Sequence, residues 1–149
     1  MGCIVCATRG GEGSRAVQLQ AIQRSLDREK RLIFLYVTDT HTAGDVDQDL
    51  LTAVHAELDW MGNTLLRVAQ QRAQLAGLDS DIAILHGDVR EEIGRFLSES
   101  QAELLLLGAP RGTSANVFGD DAVEQFAATI QEKTLVPVEV VRPDVVVKE

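Results

Sequence analysis

Two glycine-rich turns, each directly after an apolar run, are where this chain could do chemistry. Leu104–Gly112 reads LLLLGAPRG, and near the start Ile4–Thr8 leads into Arg9-Gly10-Gly11-Glu12-Gly13-Ser14. Glycines allow close backbone approach to a ligand, and the free amides opening a following helix attract anions. Two such turns on one edge of a sheet suggest a nucleotide crevice. The type is not a common one: there is no GKS or GKT for a Walker loop, and RGGEGS does not fit the dinucleotide pattern GxGxxG.

The other reactive residues make no catalytic constellation. Asp45, Asp47 and Asp49 imitate the start of a calcium loop, but Leu50 stands where its glycine belongs and Ala56 where its glutamate belongs. Acids ahead of a long helix also follow from the helix dipole. His41, His55 and His86 have no ligand spacing; His86, before Gly87-Asp88, could face the crevice or simply cap or decorate the surface. Ser14 and Ser114 lack a nucleophile elbow. Cys3 and Cys6 have CxxC spacing but fall within one expected strand, where positions three apart point to opposite faces. They are expected as buried small residues, neither bridged nor sharing a metal.

These residues need a scaffold, and the composition supports one. The 149 residues are 45% hydrophobic and 4% aromatic, which suits a single domain with an aliphatic core. The formal net charge is −9, from 14 basic and 23 acidic residues. An acidic surface repels phosphate backbones and anionic headgroups, so no nucleic-acid or membrane partner is expected. With no long apolar segment and no leader-like start, the expected location is the cytoplasm.

The patterning alternates strands and helices. Cys3–Thr8, Leu32–Val37, Asp81–Leu85, Leu104–Leu107 and Val136–Val141 read as strands, and the unbroken runs LIFLYV and LLLL suit positions covered on both faces. Helices are expected from about Ser14, over Leu50 to about Ala76, over Asp88–Ser100 and over about Asp121–Glu132. The first carries a stripe of Val17, Leu19, Ile22 and Leu26. The second carries Leu51, Val54, Leu58, Met61, Leu65, Val68 and Leu75, with Gly77 placed to end it. Val89, Ile93, Phe96 and Leu97 should form the buried face of the third. A β-α repeat of this kind implies a doubly wound α/β parallel sheet with right-handed crossovers. Val145–Val147, after Pro143, is too short for a sixth parallel strand; it could pair at an edge or contact a partner. The alternating valines of Val136–Val141 make that edge an expected homodimer interface.

Taken together, IVCATRGGEGS, LIFLYV, HGDVREEI, ELLLLGAPRG and PVEVV resemble the universal stress protein family over roughly Cys3 to Val141. The resemblance implies a five-stranded sheet of order 3-2-1-4-5, related to adenine-nucleotide hydrolase-like domains. It implies dimers that in many members bind ATP or AMP in stress physiology. Carried over by position, it implies a crevice around Thr8, Arg9, Gly10, Val37, Gly108, Arg111, Gly112 and Gly119, with Val37 beside adenine.

The carry-over breaks at the phosphate end. Members that bind nucleotide commonly have an Asp after the first strand, where this chain has Arg9. Their phosphate loop has two residues between its first glycines; Gly108 and Gly112 are separated by three, and Gly119 is followed by Asp120 rather than Ser or Thr. Asp120, Asp121 and Glu124 place carboxylates where a phosphate would use helix amides. Arg9 and Arg111 could compensate, by serving a ligand or by pairing with those acids. The expectation is a signalling or protective domain without turnover whose crevice is altered or lost. Weak ATP or AMP binding with slow hydrolysis, or a purely structural homodimer, are the alternatives. No metal and no firm cofactor are expected.

Overall fold

Residues 2–8, 14–38, 48–108 and 122–141 are described by the structure, a computed structural model. Five strands alternate with four helices: β1 (Cys3–Ala7), α1 (Ser14–Arg28), β2 (Arg31–Thr38), α2 (Gln48–Leu75), β3 (Ser80–His86), α3 (Val89–Ser100), β4 (Ala102–Gly108), α4 (Ala122–Thr134) and β5 (Val138–Val141). All pairings are parallel, and the strand order is β3-β2-β1-β4-β5. This is the doubly wound α/β sheet expected from the sequence, in the expected order.

The apolar runs explain the centre. β1 is buried along its whole length, as are Leu32–Leu35 of β2 and Leu104–Leu107 of β4. Strands sealed on both faces cannot alternate with polar residues. Val5, Leu35 and Leu105 turn to one side, against Ile93 and Leu97 of α3 and Ala127 and Ile130 of α4. Ile4, Phe34 and Leu106 turn to the other, against Val17, Ala21 and Ile22 of α1 and Leu66, Ala69 and Ala73 of α2. Cys3 joins the first cluster and Cys6 the second; both are buried and unbridged. Burial pushes the Cys6 thiol far up, so it is inert as a nucleophile.

The helix ends follow local chemistry. Asp88 is the N-cap of α3, its carboxylate accepting from the Glu91 amide. Gly77 adopts φ +88 just past α2, and the Leu78 amide returns to the Ala73 carbonyl. Strand β5 starts at Val138, two residues later than expected, although the Pro137 carbonyl already accepts from the Leu105 amide at 3.0 Å.

The expected stripe on α1 holds in part, with Val17 and Ile22 buried, and that on α2 is displaced from the core. Leu19 and Leu26 are 47% and 38% exposed, while Ala21 and Ser25 are buried. On α2, Met61, Val68 and Leu75 are exposed, and the buried line runs through Gly62, Leu66, Ala69 and Ala73. Small residues bring these helices close to the sheet. A Cβ at Gly62 would lie 2.4 Å from the Tyr36 ring. A reading based on large apolar residues follows the wrong line when the contact is made by small ones.

Candidate functional site

In a doubly wound sheet, ligands bind outside the carboxyl ends of the strands, where the direction of winding reverses. Here that point lies between β1 and β4. The chain leaves β1 for α1 on one face and β4 for α4 on the other. Ala7 pairs with Leu107, so Thr8 and Gly108 stand side by side at the reversal. Ala7 also pairs with Leu35, so β2 continues past β1 through Tyr36, Val37 and Thr38. β3 keeps level with it, Thr38 matching His86. The result is a step: β1 and β4 form the floor and β2 and β3 one wall.

The two residues of that wall nearest the step face different layers. Val37 is half-buried on the side of α3 and α4. It therefore shares a face with α3 and α4. Thr38 is 4% exposed, donates from Oγ1 to the Leu85 carbonyl, and receives the Gly87 amide on its own carbonyl. Those bonds tie the ends of β2 and β3 together.

Thr8 is held from beneath. Its amide donates to the Leu35 carbonyl at 2.8 Å, and its Oγ1 accepts from Gln18 Nε2 at 3.0 Å. Gln18 is 1% exposed, and its Oε1 accepts from Arg72 Nη1 on α2. The Arg72 bond fixes which end of the Gln18 amide meets Thr8. A buried amide must be satisfied in this way, and the chain of bonds sets the spacing of α1, α2 and the end of β1. The sequence reading missed Gln18 and Arg72. The usable signal was positional, since Gln18 lies with Ala21, Ile22 and Ser25 on the face of α1 that meets the sheet.

The two helices opening at the reversal differ in charge. The first turn of α1 carries no acid and contains Arg15, whereas that of α4 contains Glu124. A carboxylate beside the positive end of a helix dipole takes the place an anionic ligand would use. Of the remaining expected site residues, Arg9, Gly10, Arg111, Gly112 and Gly119 lie outside the described residues, as do Asp120 and Asp121.

His86 is exposed, and its Nε2 lies 2.8 Å from Asp59 Oδ1 on α2, which braces the wall of the step. At the opposite end of α2, a polar groove of about 480 Å³ is lined by Arg67, Gln70, Asp79 and Ser80. It is remote from the winding reversal and is partly closed by Gln70 Nε2 donating to the Ser80 carbonyl at 2.8 Å. Among the described residues no three His, Cys, Asp or Glu side chains are grouped to hold a metal ion. No helix among them is long and apolar enough to cross a membrane.

Several solved structures share this fold. A universal stress family protein from Burkholderia pseudomallei is 21% identical with a TM-score of 0.69, covering 92% of this chain and 93% of its own. A universal stress family protein from Arabidopsis thaliana, solved with AMP bound, is 15% identical with a TM-score of 0.62, over 95% and 92% of the two chains. One from Archaeoglobus fulgidus, in complex with dAMP, is 16% identical with a TM-score of 0.58, over 95% and 98%. No curated protein sequence matches the chain. The profile of the universal stress protein family matches residues 1–142, and the chain belongs to that family.

Proposed function

We propose that this protein is a signalling or protective stress domain without turnover, whose adenine-nucleotide crevice is altered at its phosphate end. The carrying observation is the acidic opening of α4. Glu124 stands in its first turn, four residues after Asp120 and three after Asp121, where a phosphate would otherwise receive helix amides. At the base end, the stepped edge and the half-buried Val37 support an adenine as the group bound there. Relatives solved with AMP and dAMP support adenine nucleotide as the ligand class. The fold's location is proposed to be the cytoplasm, and its assembly a homodimer through β5, the edge strand among the described residues.

A second reading has its own support. Arg15 in the acid-free first turn of α1, with Arg9 nearby in sequence and Arg111 after β4, could rebuild a phosphate site for weak ATP or AMP binding. Mass spectrometry of small molecules released by denaturing freshly purified protein separates the two. The first reading expects no stoichiometric nucleotide. ATP or AMP released near one per chain overturns the first and shows that the phosphate site has been rebuilt.

A further inference from the structure

Arg90 stands where a cation does nothing for the helix that carries it. It is the second residue of α3, at the positive end of that helix's dipole, where acids are favoured instead. Glu91 and Glu92 fill that role in the same turn, and Asp88 already caps the helix by accepting from the Glu91 amide. Nor is the Arg90 side chain spent on an ion pair. Among the described residues it meets no carboxylate, whereas Arg95, the other arginine of α3, is bonded to Glu92. Its guanidinium lies instead over the ring of Phe126 on α4, with Cζ 5.9 Å from the ring centroid. A ring face attracts the charge but offers no oxygen to the guanidinium N–H donors.

The fold sets this cation at the crevice. α3 follows β3 and α4 follows β4, so both helices open at the carboxyl edge of the sheet, in the layer that Val37 faces. Arg90, in the first turn of α3, reaches Phe126 in the second turn of α4 and so bridges the two openings. Val37 and Leu85 are register partners at the wall of the step. Together with Val89 and Phe126 they are half-buried and pack on one core cluster, so apolar surface continues from that wall toward α4. The remaining basic side chain of this layer, Lys133, is in the last turn of α4, at the opposite edge.

We propose that Arg90 is the anion contact of the crevice, and that it selects a nucleoside monophosphate over a triphosphate. The proposal rests on the adenine-nucleotide reading above and adds to it the place where charge is met. Phosphate oxygens offer a guanidinium the paired acceptors that its planar donors match. One guanidinium serves one phosphate. Each further phosphate adds negative charge, while α4 opens with Glu124, preceded by Asp120 and Asp121. An α4 opening that repels a phosphate chain and an α3 side chain that holds a single phosphate together favour the shorter ligand.

The test titrates adenosine, AMP and ATP into the full-length chain by calorimetry at low salt, for wild type and two variants. Wild type should bind AMP about tenfold more tightly than adenosine, and more tightly than ATP. Arg90→Gln, at an exposed position, should lower AMP to the affinity of adenosine and leave adenosine unchanged. Phe126→Leu keeps an apolar side chain but removes the ring that holds the guanidinium, and should narrow the AMP advantage. Equal affinity for AMP and adenosine in wild type, or ATP bound more tightly than AMP, overturns the proposal and leaves the adenine reading standing. So does an AMP advantage that survives Arg90→Gln, which would make Arg90 a packing contact between α3 and α4. Absence of binding by both adenosine and AMP overturns the adenine reading and the proposal with it.

Discussion

The two helical layers cover the same sheet by different means. On one side α3 and α4 meet it with large aliphatic side chains, among them Ile93, Leu97 and Ile130, all under 3% exposed. On the other, α1 and α2 meet it with Val17, Ile22 and Leu66 and, between them, with the small residues Ala21, Ser25, Gly62, Ala69 and Ala73. That layer buries the polar chain Thr8–Gln18–Arg72 and leaves leucines outside. Aliphatic packing is tolerant of small shifts, but a buried amide bonded at both ends is not. The first layer holds the sheet together. The second holds the end of β1 in one position at the winding reversal and leaves apolar side chains facing outward.

The largest effect should come from charging the centre, where the layers ought to respond alike. Leu105 and Leu106 are both 0% exposed, one under each layer. Asp at either should cost several kcal/mol, about 3–5, or force the carboxyl to stay protonated. Wild-type thermal stability in Leu106→Asp would mean that the strand is not covered on both faces.

Below that, the layers should diverge. Ile130→Ala should cost about 2–5 kcal/mol by opening a cavity, and leave the crevice untouched. Gln18→Leu keeps the volume but strips Thr8 Oγ1 and Arg72 of their buried partner, costing about 1–3 kcal/mol. It should also loosen the end of β1, read as faster amide exchange at Thr8 and along β1. Equal exchange in both variants would remove the proposed distinction between the layers.

A smaller effect is expected at the outer edge of the α1 layer. Arg24 donates to both Glu139 oxygens, at 3.0 and 2.9 Å, and Gln20 adds a third bond at 3.1 Å. The bonds from Arg24, against the opposing effect of burial, hold the Glu139 carboxyl below its usual range. A carboxyl lowered in the folded state stabilises above its unfolded pKa, about 4.3, and that contribution disappears as pH falls through the folded value. Glu139→Gln should therefore melt slightly below wild type at neutral pH, by no more than about 1 kcal/mol given solvent screening. The gap should close as pH falls below about 4. A gap that widens in acid contradicts this pairing.

The sequence revealed the sheet far better than the helix faces. Runs such as Leu104–Leu107 and Leu32–Leu35 have one physical explanation, burial on both sides, and the winding followed from the alternation of elements. On α1 and α2 the large apolar residues drew the eye to Leu19, Leu26, Met61 and Leu75, which face outward. Gly62, Ala69 and Ala73 share the contact with Leu66 because their small size lets α2 approach the sheet, and size is invisible to a hydrophobic rhythm. At the winding reversal, Thr8 and Gly108 were legible as the ends of apolar runs, and the structure sets them side by side. Gln18 and Arg72 were not legible, because their partners are distant in sequence and meet only when α2 packs beside α1.

The central claim is that the crevice has lost its hold on phosphate, and ATP-dependent melting tests it most directly. Ligand at about 100 times its Kd stabilises a fold by about 2.7 kcal/mol, so a functioning site is easily seen at about 1 mM ATP. The unmodified protein is predicted to bind with a Kd above roughly 10 µM, so its shift at 1 mM ATP should fall short of the roughly 2.7 kcal/mol that a Kd of about 10 µM would give. Asp120→Gly with Asp121→Ser removes two repelling charges and adds a hydroxyl donor ahead of α4, and should enlarge the shift. A large shift in the unmodified protein, undiminished in potency relative to the double variant, would contradict the claim.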